Sequence, residues 1–169
     1  MDCGCDSVDD TLNKAGAELI EKEKIAVGAM TDVTGFGLIG HAREVALASD
    51  VSLKLYASRI PVLAGALECI RAGHIPGGLN NNRDFAECVV QYEESIAEDV
   101  KALLFDPQTA GGLLISVEAG ASEGFAQAMK AQGLMAARIG EVLPKDTPPS
   151  DTPHKDRPRR DTPRIRVTC

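Results

Sequence analysis

The stretch Met30–Ala42, MTDVTGFGLIGHA, sets one acid, two threonines and three glycines between an apolar run and an amphipathic one. Upstream, IAVGAM (25–30) is short and apolar and reads as a buried strand. Downstream, LIGHAREVALAS (38–49) puts Leu38, Ile39, Ala42, Val45 and Ala46 on one face at helical spacing. A strand that turns through glycines into a helix is the building unit of an α/β layer. Asp32 stands where that strand ends, and strand ends of open α/β sheets are frequent ligand positions. Glycines let backbone approach phosphate closely, and free N–H groups at a helix start favour an anion. A carboxylate beside such an anion is placed to hold Mg²⁺ against phosphate oxygens. The plainer reading stands beside it: Asp32 caps the turn and the glycines only bend the chain.

Working outward, alternation continues. DDTLNKAGAELIEK (9–22) places Leu12, Ala15, Gly16, Leu19 and Ile20 on one helical face. VSLKLYA (51–57) alternates as a half-buried strand. Pro61 is expected to open a helix that Gly73 caps. HIPGGLNNNRDF (74–85) reads as a loop by composition, ECVVQY (87–92) as a strand and SIAEDVKALLF (95–105) as a helix capped by Ser95. LLISV (113–117) is a buried strand, ASEGFAQAMKAQG (121–133) a helix ending at Gly133, and 134–143 a last strand. The expected fold class is α/β (α+β), a sheet layered with helices. Three segments follow: an extension over 1–10, a domain over 11–143 and a tail over 144–169. The tail holds three Asp-Thr-Pro triplets and six of the nine prolines, so most of it is expected to be extended or disordered. RIRVT (164–168) within it is expected, at most, to return as an edge strand.

The composition limits the classes of function. No apolar run approaches the roughly 18 residues of a membrane span. The start, MDCGCDSVDD, lacks the basic-then-apolar order of a secretory leader, so a cytoplasmic protein without a membrane partner is expected. Five cysteines, an odd number, argue against a disulfide framework. Cys69 and Cys88 read as small core residues, and Cys3 with Cys5 is too closely spaced for a zinc ribbon. Residues 144–169 carry seven Lys/Arg against four Asp, leaving eleven basic and twenty-one acidic residues in 1–143. So acidic a body is a poor nucleic-acid binder, and nucleic acid is not an expected partner.

Two further loops hold polar groups. In 74–85, Arg83 could fork onto a phosphate, and Asn80, Asn81 and Asn82 supply donors. In FDPQTAGG (105–112), Asp106 and Thr109 precede a glycine pair. His41, His74 and His154 show no metal-ligand spacing, and no Walker motif or dinucleotide fingerprint is present.

Together, TDVTGFGLIGHA (31–42), PGGLNNNRDF (76–85) and LLFDPQTAGGLLISV (103–117) resemble, in order and spacing, the C-terminal half of the selenophosphate synthetase (selenide, water dikinase) family. The helix TLNKAGAELIE before them and ARIGEV after them also match, so the resemblance covers residues 11–143. It implies the three-layer α/β/α domain of the aminoimidazole ribonucleotide synthetase-like superfamily. It also implies a homodimer that makes selenophosphate from selenide, ATP and water, releasing AMP and phosphate with the help of magnesium. Carried onto this chain, Asp32 matches a magnesium ligand. Thr31, Thr34, Gly35, Gly37, Arg83 and Thr109 become candidate nucleotide-binding residues.

Members of that family are about twice this long, and their N-terminal half carries the glycine-rich nucleotide loop, further magnesium aspartates and a reactive cysteine or selenocysteine with a lysine. Here Cys3-Gly4-Cys5 resembles the cysteine motif, with Asp6 at the lysine's place, so Cys3 is a weak catalytic candidate. An acid beside a thiol raises its pKa rather than lowering it. The expectation is a fragment or truncated product that contributes part of an ATP–magnesium site without activity alone. Its partner would be the missing N-terminal domain or an intact synthetase. Two other readings are a non-catalytic interaction module acting through the proline-rich tail, and a relative of the hydrogenase-maturation dehydratase, whose terminal thiol PRIRVTC resembles.

Overall fold

The computed structural model describes residues 13–145 and 164–169, so Cys3, Leu12, the 1–10 extension and the Asp-Thr-Pro triplets lie outside the described residues. The elements run α1 (Lys14–Lys22), β1 (Val27–Asp32), α2 (Gly37–Ala48), β2 (Ser52–Tyr56), α3 (Ala66–Arg71), α4 (Gly77–Ala86), β3 (Val90–Tyr92), α5 (Glu98–Leu103), β4 (Leu113–Val117), α6 (Ser122–Ala131), β5 (Gly140–Leu143) and β6 (Ile165–Thr168). The result is a mixed α/β fold with two sheets. β1 pairs with β4 antiparallel, while the second sheet has the order β3-β6-β2-β5.

The larger core cluster gathers one face of α2 (Ile39, Ala42, Ala46), alternate residues of β2 (Leu53, Leu55), Leu79 and Ala86 of α4, Leu104 and Phe105, and Ile165 and Val167 of β6. A smaller cluster packs Leu19 of α1 against Phe125 and Met129 of α6. Aromatic side chains are few, so these cores are mainly aliphatic.

Several local expectations need correction. Residues 77–86 form a helix, not a loop, because Leu79, Asn82 and Ala86 fall on one inward face and the asparagine amide is used by distant backbone. The helix after Pro61 is only Ala66–Arg71, since Gly65 at φ +87 separates it from the proline. Cys69 and Cys88, expected in the core, are exposed. Ser95 does not cap α5, whose N-cap is Ala97; its hydroxyl lies 3.0 Å from Cys169 Sγ instead. Gly73 and Gly133 do end their helices with positive φ, as expected of a C-terminal glycine.

The largest correction concerns RIRVT. Far from an edge, β6 lies inside its sheet, parallel to both β3 and β2, with Leu53 opposite Ile165 and Val90 opposite the same residue. Ile165 and Val167 are fully buried. The carboxylate of Asp50 receives Lys145 at 2.8 Å and Arg164 at 3.1 Å, so one acid at the start of β2 ties both the end of the β5 segment and the entry to β6. Ile165→Ala should therefore lower the unfolding free energy by about 2–5 kcal/mol in urea titrations. A loss below about 1 kcal/mol would show that β6 is not packed as a central strand.

Candidate functional site

Three segments far apart in sequence meet at the start of α2. The first joins the second by a short ladder: the N–H of Val33 donates to Gly112 O and the N–H of Gly111 returns to Val33 O, both at 2.9 Å. The N–H of Gln108 donates to Thr34 O at 3.2 Å, and that of Ile39 to Leu104 O at 3.0 Å. The third segment enters through Asn82 on α4. Its buried amide donates to Gly35 O at 2.8 Å and to Phe105 O at 3.0 Å. One side chain thus fastens all three motifs.

Gly37 makes this approach possible. It sits at φ +68, and a β-carbon there would lie 2.8 Å from the carbonyl carbon of Phe105 and 2.9 Å from Asp106 O. Gly111 is as constrained, because a β-carbon would fall 2.3 Å from Val33 O. A β-carbon at Gly35 or Gly112, by contrast, would meet nothing within 4 Å among the described residues. The site's two interior glycines therefore accommodate the protein's own backbone, and the two outer ones face open space.

Thr31 lies within β1, opposite Leu114, and its hydroxyl donates to Asp32 O at 3.2 Å. Asp32 is the last residue of β1, exposed, opposite Leu113, and its carboxylate has no hydrogen-bond or ion-pair partner among the described residues. Thr34 donates its N–H to His41 Nε2 at 3.0 Å, and its hydroxyl lies 3.2 Å from the same nitrogen. Thr109 is exposed in the loop whose two flanks bond to residues 33 and 34. The expected free N–H groups of α2 are partly used: Gly37 donates to Thr34 O and Ile39 to Leu104 O.

Arg83 is occupied. Its Nε lies 2.8 Å from Glu87 and its Nη2 3.2 Å from Glu98, and Lys101 reaches the same Glu98 at 2.6 Å. Glu87 first, with Glu98 adding, holds the guanidinium more firmly in its charged form. The structure brings together Thr34, Gly35, Gly37 and the Thr109 loop beyond the end of β1, whereas the Arg83 guanidinium is committed between α4 and α5. Composition alone concealed Asn82 as the hub; the inward spacing of Leu79, Asn82 and Ala86 was the available signal.

Residues 8–148 match the family model described as AIR synthase related protein, C-terminal domain. The chain belongs to that family. Among its relatives are a selenide, water dikinase of Clostridioides difficile (strain 630), 42% identical over 135 residues, and selenide, water dikinase 2 of Peptoclostridium acidaminophilum, 40% identical over 136. These alignments cover 79% and 80% of this chain and 38% of each relative. The chain therefore spans under two-fifths of the relatives' length. In three dimensions it is similar to E. coli HypE, a hydrogenase maturation protein, at TM-score 0.49 and 21% identity over 80% of this chain and 34% of that one.

Within this AIR synthase related domain the second aspartate of the site differs from Asp32. Asp106 is half-buried, and its Oδ2 accepts from Gln108 Nε2 at 2.8 Å. Desolvation raises its pKa above the ordinary carboxylate value, with the Gln108 bond opposing. A raised carboxylate means that the folded chain binds the proton more tightly than the unfolded one. This residue's contribution to stability is then greatest at low pH and is lost as pH rises through its folded pKa. Asp106→Asn, which keeps the acceptor and removes the charge, should leave neutral-pH stability equal or higher and flatten the rise on acidification. Urea titrations at neutral and mildly acidic pH check this.

The Asn82 bonds yield a sharper test. Asn82→Ala strips the donor from two carbonyls and should lower stability by about 1–3 kcal/mol. Asn82→Asp should cost more, because a carboxylate would face two acceptors. Equal stability of the Asp variant and the wild type would exclude the hub role.

Proposed function

We propose that this chain is the C-terminal portion of a selenide, water dikinase, which makes selenophosphate from selenide, ATP and water and releases AMP and phosphate. The observation that carries the reading is the meeting of the three motifs around Asn82, in a chain about 40% identical to such enzymes over four-fifths of its length. The three-layer α/β/α arrangement and the cytoplasmic setting expected from the sequence belong to the same proposal. Among the described residues no helix is long and apolar enough to cross a membrane.

The residues fit a partial share of a magnesium–nucleotide site. Asp32 offers an exposed, uncommitted carboxylate at a strand end. Among the described residues no three His, Cys, Asp or Glu side chains cluster to hold a metal. One or two carboxylates suffice for Mg²⁺ when waters and phosphate oxygens complete its octahedron. When bound, the metal would neutralise triphosphate charge, the main electrostatic demand of phosphoryl transfer. Asp32 would be its protein ligand here. Gly35 leaves open the side where a β-carbon would project, Thr31, Thr34 and Thr109 supply the neighbouring polar groups, and Gly37 shapes the turn. Arg83 joins phosphate only if a ligand displaces Glu87 or Glu98. The remaining ligands and the selenium chemistry fall to the part of the enzyme that this chain does not span.

Alone, the chain should not turn ATP over. Fused behind the upstream part of the C. difficile enzyme, it should make selenophosphate, and Asp32→Ala should slow that chimaera by about 10²-fold or more. Calorimetry with Mg–ATP on both versions reports whether the loss tracks metal–nucleotide binding. Robust AMP production by the chain alone, or an Asp32→Ala chimaera as fast as its parent, would defeat the proposal.

A further inference from the structure

The chain has four phenylalanines and no tryptophan. Phe105 and Phe125 are buried, but Phe36 and Phe85 are 54% and 46% exposed. These two do not lie apart. Their rings stack at 6.0 Å between centroids, Phe36 from the 31–42 motif and Phe85 from the 76–85 motif. The Arg43 guanidinium lies 4.3 Å from the centre of the Phe85 ring, and the His41 ring is 5.7 Å from Phe36.

The patch is held in shape from behind. Asn82 bonds the carbonyl of Gly35, the residue before Phe36, and lies one helical turn before Phe85. A β-carbon at residue 40 would come 2.6 Å from Phe36 Cβ, so Gly40 lets that ring lie against α2. Arg43 bonds Glu44 through Nη1 at 2.7 Å, while its buried Nε has no hydrogen-bond partner among the described residues, which leaves the ring face to orient the guanidinium. Rigid, stacked aromatics with an arginine beside them have the composition of an interface centre rather than of ordinary surface.

We infer that the Phe36–Phe85–Arg43 patch is the seat of the remaining part of the dikinase chain. This rests on the reading above. The occupant is argued from length and position: the relatives extend well beyond the 38% that this chain covers, and the matching family is by description a C-terminal domain. The patch is built from two of the three site motifs, so a chain segment seated on it would lie against the open side of Gly35. Covering the rings and completing the site would then be one event.

Hydroxyl-radical footprinting of the isolated chain and of the chimaera tests it. Both rings should oxidise readily in the isolated chain and lose most of that oxidation in the chimaera, with exposed Met135 as the unchanged control. Phe36→Ser/Phe85→Ser should leave the melting temperature of the isolated chain nearly unchanged and lower that of the chimaera. Equal oxidation in the two proteins overturns the inference, and selenophosphate formation by the same chimaera shows whether the functional reading survives it. Protection that appears in the isolated chain as its concentration rises would assign the patch to a second copy and also overturn it. If the chimaera does not fold, the intact C. difficile enzyme footprinted at the aligned positions decides: protection supports the inference, and free oxidation ends it.

Discussion

Two N–H groups of one amide hold this site in place. Asn82 reaches a carbonyl 47 residues away and another 23 residues away, and it is itself buried. Backbone carbonyls withdrawn from water need donors. Loops bent around each other, as residues 33–37 and 105–112 are, have few regular ladder partners to give them. A side chain with two donors in a fixed plane solves the problem for both loops at once. It also sets the relative position of Thr34, Gly35, Gly37 and the Thr109 loop, which all lie within these stitched segments.

That geometry changes what the glycines mean. In the sequence they read as room for phosphate. In the fold, Gly37 and Gly111 make room for neighbouring peptide groups, and a methyl group at either would collide with backbone that cannot move aside cheaply. The helix start is likewise partly used, with the N–H groups of Gly37 and Ile39 already donating within the chain. Anion binding at a helix N-terminus needs N–H groups left over. The open approach is instead on the side of Gly35 and Gly112, in the segments that carry the uncommitted carboxylate of Asp32 and the hydroxyl of Thr109. Arg83 is no spare cation either, since two carboxylates already share it.

How much could be read in advance follows from how local each cause was. α2, β2 and α6 announce themselves through period, β1 and β4 as short apolar runs, although alternate residues of β1 prove exposed rather than buried, and Gly73 and Gly133 through the left-handed turn that ends a helix. Residues 77–86 did not, because Gly-Gly and three successive asparagines favour loops when only local hydrogen bonding is considered. Their helix is secured by contacts outside it, above all those of Asn82. The place of β6 was equally hidden. Parallel pairing on both sides depends on strands more than 70 residues earlier in the chain, and a short alternating run says nothing about which neighbours it will have. The exposure of Cys69 and Cys88 belongs to the same class, since short elements leave much of their circumference uncovered. The three motifs were legible as a set; that one asparagine joins them was not.

The two aspartates of the site divide along the same line between interior and surface. Asp106 is half-buried and bound to Gln108, and its desolvation favours the protonated form. Such a carboxylate is engaged in holding its loop, and a cation would have to compete with that bond. Asp32 is exposed and has no partner among the described residues. A hard divalent cation needs carboxylate oxygens with free lone pairs, and no described residue engages those of Asp32. Yet one such group is not a metal site. The same segments also hold Phe36 in the open, stacked on Phe85, in a chain whose aromatic content is otherwise low. An unshared carboxylate and an uncovered aromatic pair on adjoining stretches of backbone describe a surface shaped to be met by something else, and the domain's relatives are long enough to supply it.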